Sequence, residues 1–224
     1  MNAVQTQESQ HQQQVYFDRV AEEFNSHYDE KKPLTTAIID RIFRQGMVQR
    51  FDYITKKMDW AGHKLLDVGC GPGHYMATLL KNKGAREAVG LDFAAGMIEV
   101  ATRNFKQWGV ENQTRLIQGD FMTYDFGEKF DTVLAIGYYD YVIGGEQLDK
   151  HFKRMWDLAD KRVVASLPAR WSFKTFPRWM WLAARGCPVQ FYSVAEVNEL
   201  MKRMGVTKFQ TVRMSGTILL IAEK

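Results

Sequence analysis

The chain has 224 residues, 46% hydrophobic and 25% charged, an ordinary globular composition with enough length for one sizeable α/β core. No apolar run reaches the length of a membrane span, and the N-terminus carries Gln and Glu where a secretory signal would be basic and then apolar, so a cytoplasmic protein is expected. A formal charge of +4 admits an anionic substrate without indicating nucleic acid, and Cys70 and Cys187 lack metal-ligand spacing, so neither a metal nor a disulfide framework is expected.

Residues 1–14 contain six glutamines and no periodicity, which predicts a disordered tail ahead of a single domain over 15–224. Within that domain two helices fill residues 15–60. Val15, Tyr16, Val20, Phe24 and Tyr28 recur at helical spacing, as do Ile38, Ile42, Phe43, Val48, Phe51 and Ile54. From Lys64 the chain alternates short apolar runs with longer helical stretches. The runs are Lys64 to Val68, Ala88 to Asp92, Thr114 to Gln118, Phe130 to Ile136 and Arg162 to Leu167, with helices near 74–83, 95–108 and 146–159. That rhythm predicts a parallel, doubly wound sheet. A helix near 193–204 then precedes two strands, Lys208 to Met214 and Thr217 to Ala222, joined by Ser215-Gly216, an antiparallel pair closing the sheet.

The first strand ends at Asp67 and Val68 and breaks into three alternating glycines, Gly69, Gly71 and Gly73. Residues without side chains let backbone N–H groups approach a ligand, Pro72 suits a first helical position, and a helix N-terminus favours an anion. The dinucleotide fingerprint needs a third glycine three positions after the second, where this chain has His74. With an acid two residues before the first glycine, the motif resembles that of the class I S-adenosylmethionine (SAM) dependent methyltransferases. The resemblance extends over roughly residues 60–224. It implies a Rossmann-like, doubly wound, mostly parallel seven-stranded sheet with a reversed C-terminal strand, and it implies SAM as cofactor, with S-adenosylhomocysteine (SAH) as product.

Open α/β sheets bind ligands beyond the carboxyl ends of their strands. The second strand ends in Asp92, twenty-three residues after Gly69, where a carboxylate can accept from a ribose diol or cap the following helix. The third ends in Gly119-Asp120-Phe121, an acid and an aromatic suited to an adenine amino group and ring face. By resemblance, Asp92 holds the ribose, Phe93 packs on the adenine, Asp120 and Phe121 serve the adenine, and Tyr16, Phe17 and Tyr28 are candidates for a lid.

After the fourth strand come Gly137, Tyr138, Tyr139, Asp140 and Tyr141, where methyl donor and acceptor should meet. Methyl transfer is an in-line displacement, and a base is needed only if the acceptor loses a proton. Asp140, Tyr138 or Tyr139 can act as that base, or these residues form a dry aromatic wall. His74 reads as a polar cap or substrate contact, with catalysis as the alternative.

Residues 161–195 contain no acid but six basic residues, interleaved with seven aromatics. A substrate cap over 168–192 would offer Arg170, Trp171, Arg178 and Arg185, with Tyr141, to an anionic or planar small molecule. Trp179-Met180-Trp181-Leu182 between arginines also has the character of a helix at a membrane surface. The cap and the GYYDYV segment resemble bacterial methyltransferases related to the porphyrin O-methyltransferase group, a likeness that names no acceptor. RNA or protein methylation and non-catalytic SAM binding are the rival functions, and nothing here specifies an oligomeric state.

Overall fold

The apolar runs become strands covered on both faces, as a parallel sheet requires. The structure is a computed structural model. It describes residues 14–22, 25, 34–140, 142, 145–170 and 190–224, the side chains of 34–44 excepted. Most of the expected glutamine-rich tail and of the basic aromatic cap therefore lies outside the described residues, whereas Gln14 is already helical.

In chain order the elements are α1 (residues 14–22), α2 (Leu34–Lys57), β1 (Lys64–Val68), α3 (His74–Lys83), β2 (Glu87–Asp92), α4 (Ala95–Trp108), β3 (Thr114–Gln118), β4 (Phe130–Ala135), α5 (Gly145–Leu158), β5 (Ala159–Pro168), α6 (Val194–Arg203), β6 (Lys208–Met214) and β7 (Thr217–Glu223). The strands form one sheet in the order β3-β2-β1-β4-β5-β7-β6. Pairings are parallel from β3 through β5, and β7 runs antiparallel to both β5 and β6. The reversed strand thus slots between β5 and β6, leaving β6 at the edge. β5 begins three residues before the expected Arg162, directly after α5, because Asp160 and Lys161 tolerate the exposed end of the sheet and Lys161 pairs with Asp131 at 2.9 Å.

Successive strand residues feed opposite faces. Leu66, Val133 and Val163 join a core with Phe152 and Met155 of α5 and Leu200 of α6. Leu65, Leu134 and Val164 join the other core with Met76 and Leu79 of α3 and Phe105 of α4. Each fully buried large side chain contributes about 1.5–3 kcal/mol. A third cluster packs Phe17 and Ala21 of α1 on Met97 and Val100 of α4. The strand order reverses direction at β1 and β4, so the cleft opens beyond their carboxyl ends.

Candidate functional site

The glycine loop leaves β1 and is latched to the end of β2. The N–H groups of Gly69 and Cys70 donate to the Leu91 carbonyl at 2.8 and 3.1 Å, and that of Gly71 donates to Asp92 Oδ2 at 2.9 Å. The Gly73 N–H donates to the Cys70 carbonyl. These amides are therefore engaged within the protein rather than offered to an anion as the sequence suggested. The donors left for an anion are the first-turn N–H groups of α3, which no side chain caps. Pro72 lies in the turn and not at the first helical position, since α3 starts at His74.

Two of the glycines have different physical reasons. Gly73 has φ of +82°, and a Cβ there would sit 2.3 Å from the Phe105 ring, so this glycine exists for packing. Gly71 has φ of +52° with nothing nearer than Met97 Sδ at 4.0 Å, so a Cβ there would meet no more than ordinary contact.

Asp67 and Asp92 are only 2% and 6% exposed. Burial, with the charge of Asp92 added, pushes the Asp67 carboxyl up to about 8. It accepts no hydrogen bond among the described residues. Burial also raises Asp92, to about 6, against N–H donors from Ala94 and Gly71. Each Asp92 oxygen accepts one N–H, leaving lone pairs for a diol. Asp120 is exposed beyond β3, its Oδ1 accepting the Met122 N–H at 2.8 Å, and Phe121 beside it is buried.

On the far wall, the Gly137 N–H donates to Ser166 Oγ at 2.8 Å, and Arg50 reaches in from α2. Its guanidinium donates to the same Oγ at 2.9 Å and to the Tyr75 hydroxyl at 3.1 Å, and Arg50 is 8% exposed. Tyr138, Tyr139 and Asp140 form a short 3-10 turn. Tyr138 bonds His151 at 2.6 Å. Tyr139 points into the core, where its hydroxyl donates to Met155 Sδ at 3.4 Å, so it is a packing residue and not a base in the cleft. Asp140 is buried, and its backbone carbonyl accepts the Gln190 N–H.

His74 is drawn to Asn25 at 2.9 Å and packs on Trp108. Arg170 forms an ion pair with Glu196 at 2.8 Å, within the capping box of α6. Tyr141, Trp171, Arg178 and Arg185 lie outside the described residues, as does Tyr28. Helix α1 covers the turn between β2 and α4: Phe17 meets Phe93 edge to face at 6.0 Å, Gln14 donates to the Phe93 carbonyl, and Asp18 accepts the Gly96 N–H at 2.9 Å. Among the described residues no cluster of three or more His, Cys, Asp or Glu could hold a metal, and no helix is long and apolar enough to cross a membrane.

Arg50, Ser166 and His151 escaped the sequence reading. Their signals were a polar residue four positions before buried Ile54, a hydroxyl in an apolar strand, and a histidine on the Leu148–Met155 stripe of α5.

A sheet of this order with one reversed strand, and a glycine loop beside strand-end acids, is the arrangement of the class I SAM-dependent methyltransferase fold. Residues 65–161, holding the loop and all three acids, match a family model described as a methyltransferase domain. The chain is 36% identical over 96 residues to a sterol 24-C-methyltransferase of Yarrowia lipolytica, covering 42% of this chain and 25% of that protein. Over 122 residues it is 31% identical to a demethylmenaquinone methyltransferase of Lactococcus lactis, covering 54% and 47% respectively. The chain thus spans about a quarter to a half of these relatives. A structure of magnesium protoporphyrin IX methyltransferase from Synechocystis PCC 6803 with bound SAH superposes with a TM-score of 0.74 at 18% identity, covering 94% of this chain and 97% of that one.

Proposed function

We propose that the protein transfers a methyl group from SAM to a small-molecule acceptor that is anionic or planar. The observation that carries this reading is the orphaned, buried carboxyl of Asp67 next to the glycine loop, with Asp92 at the adjacent strand end. Such a carboxyl suits the ammonium of an amino-acid moiety. Asp92 would accept the ribose hydroxyls with its remaining lone pairs, and Asp120 the adenine amino group. Phe93, Phe121 and Gly137 would border the nucleoside. The carboxylate would meet the first turn of α3 and the buried cation of Arg50, in place of the loop amides.

When bound, SAM supplies an electrophilic methyl on a sulfonium. The chain's own contribution is then positioning: a latched loop, fixed acids and a wall built by Tyr138. Asp140, buried and bonded through its carbonyl to the Gln190 N–H, is the residue that would take a proton from a hydroxyl or amine acceptor. Arg170, Arg178 and Arg185 would face an acceptor's negative charge.

The test is incubation with methyl-labelled SAM and fractionated cell extract. Label in the metabolite fraction supports the reading. Label in RNA or protein replaces the acceptor class, and SAM binding without label in any fraction removes catalysis.

A further inference from the structure

His151 bonds Tyr138 beside the candidate cofactor site. It stands on the buried face of α5, with Leu148, Phe152 and Met155 on the same stripe. Its Nδ1 lies 2.6 Å from the Tyr138 hydroxyl, and the two rings are 5.5 Å apart. Tyr138 is held between two parts of the candidate cofactor site. A Cβ on Gly69 would come within 3.1 Å of its Cδ2, and the Phe121 ring meets it edge to face at 6.0 Å. The Phe121 ring also approaches His151, at 6.4 Å.

Arg154, three residues further along α5, completes the brace. It donates to the Phe121 carbonyl at 2.6 Å and to that of Tyr124, and lies over the Phe121 ring at 5.4 Å. One helix therefore grips both aromatic walls of the pocket, Tyr138 through His151 and Phe121 through Arg154.

We propose that His151 is a positioning residue for the cofactor: by accepting the Tyr138 hydroxyl it locks that ring against Gly69 and Phe121 and so fixes the width of the nucleoside pocket. This rests on the SAM reading of the site.

The protonation states agree with a locking role and oppose a relay. Burial pushes His151 down to about 4 although Asp120 acts against it, so the imidazole is neutral at physiological pH. Burial and the charge of Asp120 raise the Tyr138 phenol far above its ordinary value, with Arg154 opposing and Asp92 adding to the rise. Moving the phenolic proton to His151 would work against both shifts. Tyr138 therefore donates, Nδ1 accepts, and Nε2 carries the imidazole hydrogen.

The test is calorimetric titration with SAH of the wild type, Tyr138→Phe, His151→Leu, His151→Asn and the Tyr138→Phe/His151→Leu double variant. Asn can place an acceptor oxygen close to the position of Nδ1, and Tyr138→Phe removes one oxygen with little change of shape. Each of Tyr138→Phe and His151→Leu should weaken SAH about tenfold, the double variant no further, and His151→Asn should restore near wild-type affinity. Affinity within twofold of wild type in Tyr138→Phe, or His151→Asn as weak as His151→Leu, overturns the positioning role alone. A wild type that does not bind SAH overturns the cofactor reading as well.

Discussion

Asp67 and Asp92 lie buried at the carboxyl ends of adjacent parallel strands, and the charge of Asp92 adds to the burial that holds Asp67 protonated up to about pH 8. A folded carboxyl that keeps its proton above its unfolded value gives stability that is present at low pH and lost as pH rises through its folded pKa. Asp92 contributes the same sign up to about pH 6, and His151, depressed to about 4, the opposite sign between there and 6.5. From about pH 6.5 to 8, Asp67 is the one of these three still titrating. The ligand-free protein should lose up to about 2 kcal/mol across that window, about 5 °C in Tm. Asp67→Asn should flatten this part of the Tm-against-pH curve; a curve parallel to wild type removes the assignment.

The same proton should appear in ligand binding. If an ammonium meets Asp67, binding favours the carboxylate and expels a proton near neutral pH, so SAH affinity should rise with pH between about 6 and 8. Calorimetry at pH 7 in phosphate and in Tris should give different apparent enthalpies. Equal heats in the two buffers would mean that Asp67 keeps its proton and holds no cation.

Asp92 has two tasks, because the carboxylate that would take the ribose also accepts the Gly71 and Ala94 N–H groups. Asp92→Ala should abolish measurable SAM binding, and Asp92→Asn, with one accepting oxygen left, should weaken it at least about tenfold. Unchanged affinity in Asp92→Ala would remove the ribose assignment.

The two contrasting glycines predict a separation of stability from binding. At Gly73 an added methyl meets the Phe105 ring in a left-handed conformation, so Gly73→Ala should cost about 3 kcal/mol or more of stability. At Gly71 the strain is of order 1 kcal/mol and the methyl meets no more than ordinary contact, so Gly71→Ala should fold and lose SAH affinity. Chemical denaturation beside SAH titration checks both; equal stability losses would refute the distinction.

The strands were legible because burial on both faces leaves apolar runs such as Ile218 to Ala222, and Gly and Pro punctuate them. The strand-end acids were legible because sheet topology converts strand ends into one place. Direction and partnership were not. The spacing of Gly69, Gly71 and Gly73 does not say that their amides turn towards Leu91 and Asp92, nor that Gly73 is glycine for Phe105. Tyr138 and Tyr139 are the same residue type one position apart, yet the 3-10 turn aims one at His151 and the other at Met155. Arg50 was invisible because its partners, Tyr75 and Ser166, lie 25 and 116 residues away.

Arg50 gives the sharpest remaining prediction. The Arg50 guanidinium is buried, and two of its partners are the hydroxyls of Tyr75 and Ser166. It reaches α3 through the Tyr75 hydroxyl, and the first-turn N–H groups of that helix also favour negative charge, so the two together would select a carboxylate. Arg50→Gln should lower the affinity for SAH at least about tenfold while leaving that for 5′-methylthioadenosine, which lacks the amino-acid moiety, within twofold. Ser166→Ala should act differently: it strips an acceptor from both Arg50 and the Gly137 N–H, and should destabilise the fold by about 1–3 kcal/mol. Equal losses for both ligands in Arg50→Gln would make Arg50 a brace between α2, α3 and β5, and the carboxylate would then rest on the helix terminus alone.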